Sequence, residues 1–424
     1  MRPPWAVEAA GARAMNDTAA REAAERAARQ SYGRLLAILS ARTHDIAGSE
    51  DALAHAFARA LERWPSDGVP ERPDAWLLSV ARNRRLDAWR HTRVQDDATQ
   101  TLLLLAGEMD TAEAEGHAVP DDRLRLFFVC AHPAIDASAR TPLMLQTVLG
   151  LDAARMAGAF LTSPATLSQR LVRAKTRIRN TRIPFEYPQQ RELPQRLQDV
   201  LDGIYAAYGT GWDDVDGADA RPDGLTTEAI DLGRILCALM PEEPEPLGLL
   251  ALMLFCESRA EARRSDTGAY VPLDQQDTAR WDPDLLAEAE ACLRRASAMQ
   301  RLGAYQLEAA IQSAHCERRV GAPVPPEALV SLYEGLLALR PSIGAQVSLA
   351  CALANARGPD AGLRTLDAIP AEDVANYQPF WAARAHLLAA GGARAAARQA
   401  YERAIGLASS AAVRTYLGAM MLRL

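Results

Sequence analysis

Residues 151–182 admit few folds. In LDAARMAGAFLTSPATLSQRLVRAKTRIRNTR, Leu151, Met156 and Phe160 mark the apolar side of a short helix, and Leu161-Thr162-Ser163 reads as a tight turn ending in an N-cap serine. Pro164 follows where a first helical turn tolerates proline, because that backbone N–H has no intrahelical partner anyway. The pattern predicts two helices joined by a tight turn. Seven basic residues (Arg155, Arg170, Arg173, Lys175, Arg177, Arg179, Arg182) stand against Asp152 alone, net +6. The first turns of such a helix can enter a major groove while its later arginines neutralise phosphates. A solvated basic face is the plainer alternative, and the stretch taken alone leaves both open.

The rest of the chain alternates in charge. YGRLLAILSARTHDIAGSEDALAHAFARALERW sets Leu35, Leu36, Ile38, Leu39, Leu53, Phe57 and Leu61 at helical spacings and reads as two helices, with Asp45 and Ser49 as candidate caps. PSDGVPERP, residues 65–73, reads as a loop fixed by three prolines. The next helix carries Trp76, Leu77, Val80, Leu86 and Trp89 on its apolar side. Residues 72–93 hold six arginines against Asp74 and Asp87, net +4, whereas residues 95–122 hold eight acidic residues and no Lys or Arg. This predicts an acidic linker between two basic modules. Residues 199–245 carry twelve acidic residues against Arg221 and Arg234, net -10, so this part repels DNA and has another task.

Several function classes lose support. No Gly-Lys of a phosphate loop, no His-Glu-x-x-His and no Gly-x-Ser-x-Gly occurs, so no active site and no cofactor is expected. Cys130 and His132 beside FFV read as core packing and a turn. The aspartates of DGIYAAYGTGWDDVDGADARPDG lack the order of a calcium loop, and no metal site is expected. Six scattered cysteines form no Cys-x-x-Cys pair, which suits a reducing compartment. The first thirty residues have no apolar core of a signal peptide and no run approaches a membrane span, so the expectation is a cytoplasmic chain without a membrane partner. Helical patterning begins just after Met15, so either Met1 or Met15 could start the chain.

EDALAHAFARALERW, then PDAWLLSVARNRRLDAWR, an acidic linker, and LGLDAARMAGAFLTSPATLSQRLVRAKTRI together resemble a bacterial sigma factor of the extracytoplasmic-function (ECF) class. EPLGLLALMLFCESRAEAR, YVPLDQQDTARWD, GAYQLEAAIQSAH and LYEGLLAL resemble the ECF group with a long C-terminal tetratricopeptide-repeat extension. The resemblance implies an all-α fold. Its parts are an N-terminal extension (1–30), sigma region 2 (31–94), the acidic linker (95–120), helix-turn-helix sigma region 4 (121–185) and a C-terminal helical regulatory domain (186–424).

The resemblance also implies partners residue by residue. Glu50, Asp51, Ala54 and Phe57 would dock on the β′ clamp helices of core RNA polymerase. Arg82, Asn83, Arg84, Asp87 and Arg90 would contact the −10 promoter element, with the 65–73 loop capturing a flipped base; Asp87 as an internal ion-pair partner is equally open. Thr166, Ser168, Gln169, Arg170 and Arg173 would meet the −35 element, with Lys175 and Arg177 on the DNA backbone. Two departures stand out: AARMAGAF replaces a pattern that more often has an acidic residue, and Gly209-Thr210-Gly211-Trp212 occupies the place of an Asn-Glu-Gly-Tyr signature.

Near the end, Trp381, Ala385, Leu388, Ala397, Tyr401 and Ala404 fall at the spacings of a tetratricopeptide repeat, and Ala350, Leu353, Gly362, Leu366 and Ile369 resemble a degenerate neighbour. Such pairs would offer a concave surface to a protein or peptide partner, or simply pack on the sigma module. A helix-turn-helix repressor or activator with a helical sensing domain, and a repeat scaffold with vestigial DNA binding, are the alternatives to a sigma factor. The 31–94 module discriminates, because a simple regulator has no use for polymerase docking.

Overall fold

The computed structural model describes residues 4–92, 121–157, 160, 162–189, 191–213, 225–317, 321 and 324–424, and the expected acidic linker lies outside them. The fold is all-α; among the described residues the only pairing outside helices is one isolated antiparallel bridge, Arg264 to Tyr270. The chain divides into two units. The first comprises residues 1–207 and 222–225, the second 208–221 and 226–424.

The first unit opens with α1 (Pro4–Thr43), α2 (Ile46–Asp67) and α3 (Pro73–Thr92). His44 turns left-handed (φ 51°) and ends α1, and the Asp45 carboxylate then accepts the Gly48 N–H at 3.2 Å to start α2. Ser49 is not a cap: it is buried and its hydroxyl donates back to the Asp45 carbonyl at 2.8 Å. The 65–73 loop is shorter than the prolines predict. α2 runs on through Pro65 to Asp67, because that proline falls in the last turns and frees only the carbonyl of half-exposed Leu61. Gly68 (φ 86°) then breaks the helix, donating its N–H to the Trp64 carbonyl at 3.0 Å. Leu35, Leu36, Leu53, Trp64 and Leu77 form the fully buried centre of the three helices. Trp76 stacks edge-on against Trp64 at 5.5 Å, while the Trp89 side chain lies outside the described ones.

Four more helices follow: α4 (Asp122–Cys130), α5 (Ala137–Leu149), α6 (Ala153–Met156) and α7 (Pro164–Thr181). Each start has an acceptor. Asp136 takes the Ser138 N–H at 2.9 Å, Asp152 the Arg155 N–H at 2.8 Å, and Ser163 the Thr166 N–H at 3.2 Å, with Pro164 at the first helical position. α6 spans Ala153–Met156, and the Phe160 N–H beyond it donates back to the Met156 carbonyl at 3.3 Å. Leu167, Leu171, Ala174 and Ile178 recur at helical spacing, and this buried stripe seats α7 on α5. Cys130 and His132 face different partners: the buried thiol lies 3.7 Å from the Thr147 hydroxyl, while His132 Nδ1 accepts the Ala134 N–H at 3.1 Å.

A strap from Arg182 to Gln189 crosses back, with Ile183 and Phe185 buried and the Tyr187 hydroxyl donating to the Asp121 carbonyl at 2.8 Å. α8 (Leu193–Asp213) then packs on the same core: Arg196 Nη1 reaches the Phe128 carbonyl at 3.3 Å and Arg140 pairs with Asp199 at 2.8 Å. Gly203 permits this approach, since a Cβ there would stand 2.4 Å from Met144 Sδ.

The second unit continues through α9 (Leu225–Leu239), α10 (Pro244–Glu257), α11 (Pro283–Ala298), α12 (Ala304–Cys316), α13 (Pro326–Leu339), α14 (Ile343–Arg357), α15 (Pro359–Asp367), α16 (Ala371–Val374), α17 (Gln378–Ala390), α18 (Arg394–Leu407) and α19 (Ala411–Met421). α10 is apolar on every side and buried from Leu247 to Phe255, packed between α11 and α12. Helix pairs then follow one another. Gly362 lets α15 press on α14, where a Cβ would lie 2.5 Å from the Ala350 carbonyl oxygen. Ala385 on α17 meets Tyr401 and Ala404 on α18 in one cluster, with Trp381 and Leu388 packed against it. Leu366 and Ile369 share the neighbouring cluster with Ala350.

Candidate nucleic-acid interface

The Ser163 cap and Pro164 fix where α7 begins, and the buried Leu167–Ile178 stripe fixes its rotation. At about 100° per residue, Thr166, Arg170, Arg173 and Arg177 then fall within an arc of about 60° on one flank. They line a groove of about 620 Å³ between α7 and the turn before α5, together with Asp136 and Ser138. Arg173 and Arg177 are exposed, as is Gln169, whose carbonyl accepts Arg173 Nε at 3.3 Å. The Ser138 hydroxyl and amide hold the Asp136 carboxyl below the usual carboxylate range, so one fixed negative charge sits at the groove edge. Three guanidinium groups on one helical face are able to bind phosphate, and a guanidinium can also pair bidentately with a guanine edge.

The other sequence-predicted residues of this helix do not share that flank. Ser168 is exposed about 160° to the other side, and Lys175 lies about 180° from Thr166. Lys175 Nζ is taken by Glu50 of α2, 2.6 Å from each carboxylate oxygen, with side chains only 10% and 20% exposed. The structure thus pairs with each other two residues expected to serve different partners. Burial raises the Glu50 carboxyl above its ordinary value, and Lys175 offsets this only in part.

On α2, Asp51 and Ala54 are exposed and Phe57 is half-buried beside them, a small mixed face flanking Glu50. On α3, Asn83 and Arg84 are exposed and Arg82 is half-buried; the side chains of Asp87 and Arg90 lie outside the described ones. Sequence reasoning missed the use of Arg85, whose guanidinium ties α3 to Asp45 at 3.5 Å and Ser49 at 3.4 Å. A pocket of about 510 Å³ lies beside the Gly68–Arg72 loop, within the 65–73 stretch for which a base-capturing site is expected, lined in part by Arg26, Arg34, Val69, Arg72 and Asp74. Asp74 organises its wall, accepting from the Ser31 hydroxyl at 2.8 Å and from Arg34 at 3.2 Å.

Among the described residues no group of three or more His, Cys, Asp or Glu side chains could hold a metal, and no helix is long and apolar enough to cross a membrane. The aspartate-rich stretch at 214–224 lies outside them.

Residues 28–94 match the model of sigma-70 region 2, and residues 196–297 match a family of unknown function, DUF6596. A probable RNA polymerase sigma factor RfaY of Xanthomonas campestris is 29% identical over 163 residues, 36% of this chain and 40% of that one. No solved structure matches. The region 2 and RfaY matches support a sigma-70 family sigma factor, with the shared domain at region 2. The chain belongs to the same family as the uncharacterized protein R00370 of Rhizobium meliloti, with which it is 36% identical over 397 residues, 92% of each chain.

Proposed function

We propose that this is an ECF-type sigma factor that brings core RNA polymerase to promoters with two elements. The exposed arginine flank of α7, in one folded unit with region 2, carries the proposal. A sigma factor needs two DNA-contacting modules, and in this reading regions 2 and 4 of this unit are those modules. In this reading Glu50, Asp51, Ala54 and Phe57 on α2 dock on the β′ clamp helices. Arg82, Asn83, Arg84, Asp87 and Arg90 on α3 follow the opened −10 strand, and the pocket beside the Gly68–Arg72 loop receives a flipped base. Its volume lies within the roughly 300–1,000 Å³ of ligand pockets, and unstacking one base costs a few kcal/mol that a preformed site offsets.

α7 reads the −35 element as the second helix of a helix-turn-helix, through Thr166, Gln169, Arg170 and Arg173, with Arg177 on phosphate and Ser168 turned away from that flank. The second unit, with tetratricopeptide-like pairs at α14–α15 and α17–α18, controls activity in the cytoplasm by binding a protein or peptide. Run-off transcription from a genomic promoter library, with purified core polymerase and with or without this chain, tests the proposal. New start sites sharing two spaced elements are the expected result. Duplex binding without new starts would replace it with a polymerase-independent repressor.

A further inference from the structure

Regions 2 and 4 are folded against each other within the first unit. Three contacts in the seam stand out. Gly33 of α1 lies under α5, where a Cβ would be 2.0 Å from the Val148 carbonyl oxygen. Glu50 of α2 meets Lys175 of α7 through both carboxylate oxygens at 2.6 Å. His44, at the end of α1, approaches the Ile183 carbonyl with Nδ1 at 3.3 Å and the Phe185 ring at 5.5 Å.

The middle contact differs in kind from the other two. Lys175 is the only lysine among 47 basic residues, and it is largely buried against a carboxylate on the polymerase-facing side of region 2. A buried ion pair has to recover the desolvation of both charges, so it contributes little net stability while intact, yet breaking it on one side is costly. Such a pair specifies an arrangement more than it strengthens one. An alternative partner that satisfies either charge competes with it directly. The 28 residues between Thr92 and Asp121 reach at most about 95 Å when extended, so the covalent connection does not confine the two regions to this contact.

We infer that the Glu50–Lys175 pair is an autoinhibitory latch: it holds region 4 on region 2 and covers an edge of the polymerase-docking face, and polymerase binding requires its release. This rests on the sigma factor reading, with Glu50 as a docking residue. The chain would therefore exist as a closed form that core polymerase must open. Its apparent affinity is reduced by the fraction of chain that is open, and a variant without the latch removes that reduction.

The experiment uses the full chain, as wild type, Lys175→Met and the exchanged pair Glu50→Lys/Lys175→Glu. Two readouts are taken: amide hydrogen exchange across α2 and α7 without any partner, and binding to core polymerase without DNA. Lys175→Met is expected to speed exchange in both helices and to tighten polymerase binding about tenfold. The exchanged pair is expected to recover wild-type protection, which also shows that lost protection in Lys175→Met is not general unfolding. Unchanged exchange in Lys175→Met would overturn the latch. Faster exchange with unchanged polymerase affinity would overturn its gating of polymerase. If wild type and variants alike fail to bind polymerase, the sigma factor reading fails instead, and exchange alone still decides whether the pair holds the two regions together.

Discussion

His132 shows how one side chain couples the first unit to pH. Its Nδ1 accepts the Ala134 N–H, and partial burial together with the Arg196 and Arg140 charges lowers its pKa below the ordinary 6.5. The sign follows from linkage. A histidine depressed in the folded state takes up its proton more readily when unfolded, so its contribution is present above about pH 6.5 and is lost as pH falls through the folded value. Thermal melts between pH 7.5 and 5 should show the wild type losing more midpoint temperature than His132→Asn, whose amide oxygen can still accept from Ala134. Equal losses would remove His132 as the source. The sequence places His132 in a turn before Pro133, and that much was legible. Its depressed pKa was not, because Arg196 and Arg140 reach it only through tertiary packing.

Helices are where the sequence was most and least informative. The start of α7 could be read from Ser163 and Pro164, since capping is local chemistry. Its rotation could not. Which residues share the arginine flank depends on the buried Leu167–Ile178 stripe, and Lys175 therefore sits away from the arginines that adjoin it in sequence. Arg173→Ala is expected to relax base preference at one −35 position by about 1–3 kcal/mol, whereas Arg177→Ala should weaken all promoters alike and lower the salt slope by about one. Promoter-library selection and salt titration of the holoenzyme separate the two.

α12 presents a case with no local signal at all. Gly303 cannot cap it with a side chain, and the Glu245 carboxylate of α10 does so instead, accepting the Tyr305 and Gln306 N–H groups at 3.0 and 3.2 Å. Glu245→Ala should cost about 1–2 kcal/mol by denaturant unfolding of the second unit. Gly303→Ala should also destabilise it, since the added Cβ would stand 2.1 Å from the Glu245 carboxyl carbon.

Across the whole molecule, charge reversals along the chain suggest modules in the sequence, because net charge requires no knowledge of packing. They do not reveal that α8 belongs to the first unit as far as Ala207. That follows from Arg140–Asp199 and the Gly203 contact, and no composition shift marks it. Removal of the second unit should therefore leave α8 in place. A chain ending at Asp213 is expected to keep the folded sigma module and to change transcription from the promoters found with the full chain. Higher output means that the second unit restrains the factor, and lower output with native helicity means that it is required. Identical output, measured by run-off at equal occupancy of polymerase, would remove the regulatory role.

The single lysine gives the closed form a chemical signature of its own. Beyond the α-amino terminus, an amine-directed reagent has one ε-amine to modify, and here that amine is 10% exposed and held by a carboxylate. Reductive methylation with isotopically labelled formaldehyde would place one spectroscopic reporter on the seam, leaving the charge and all 46 arginines unaltered. The rate at which it is modified would then count how often the two regions part, in the free chain and in the polymerase complex alike.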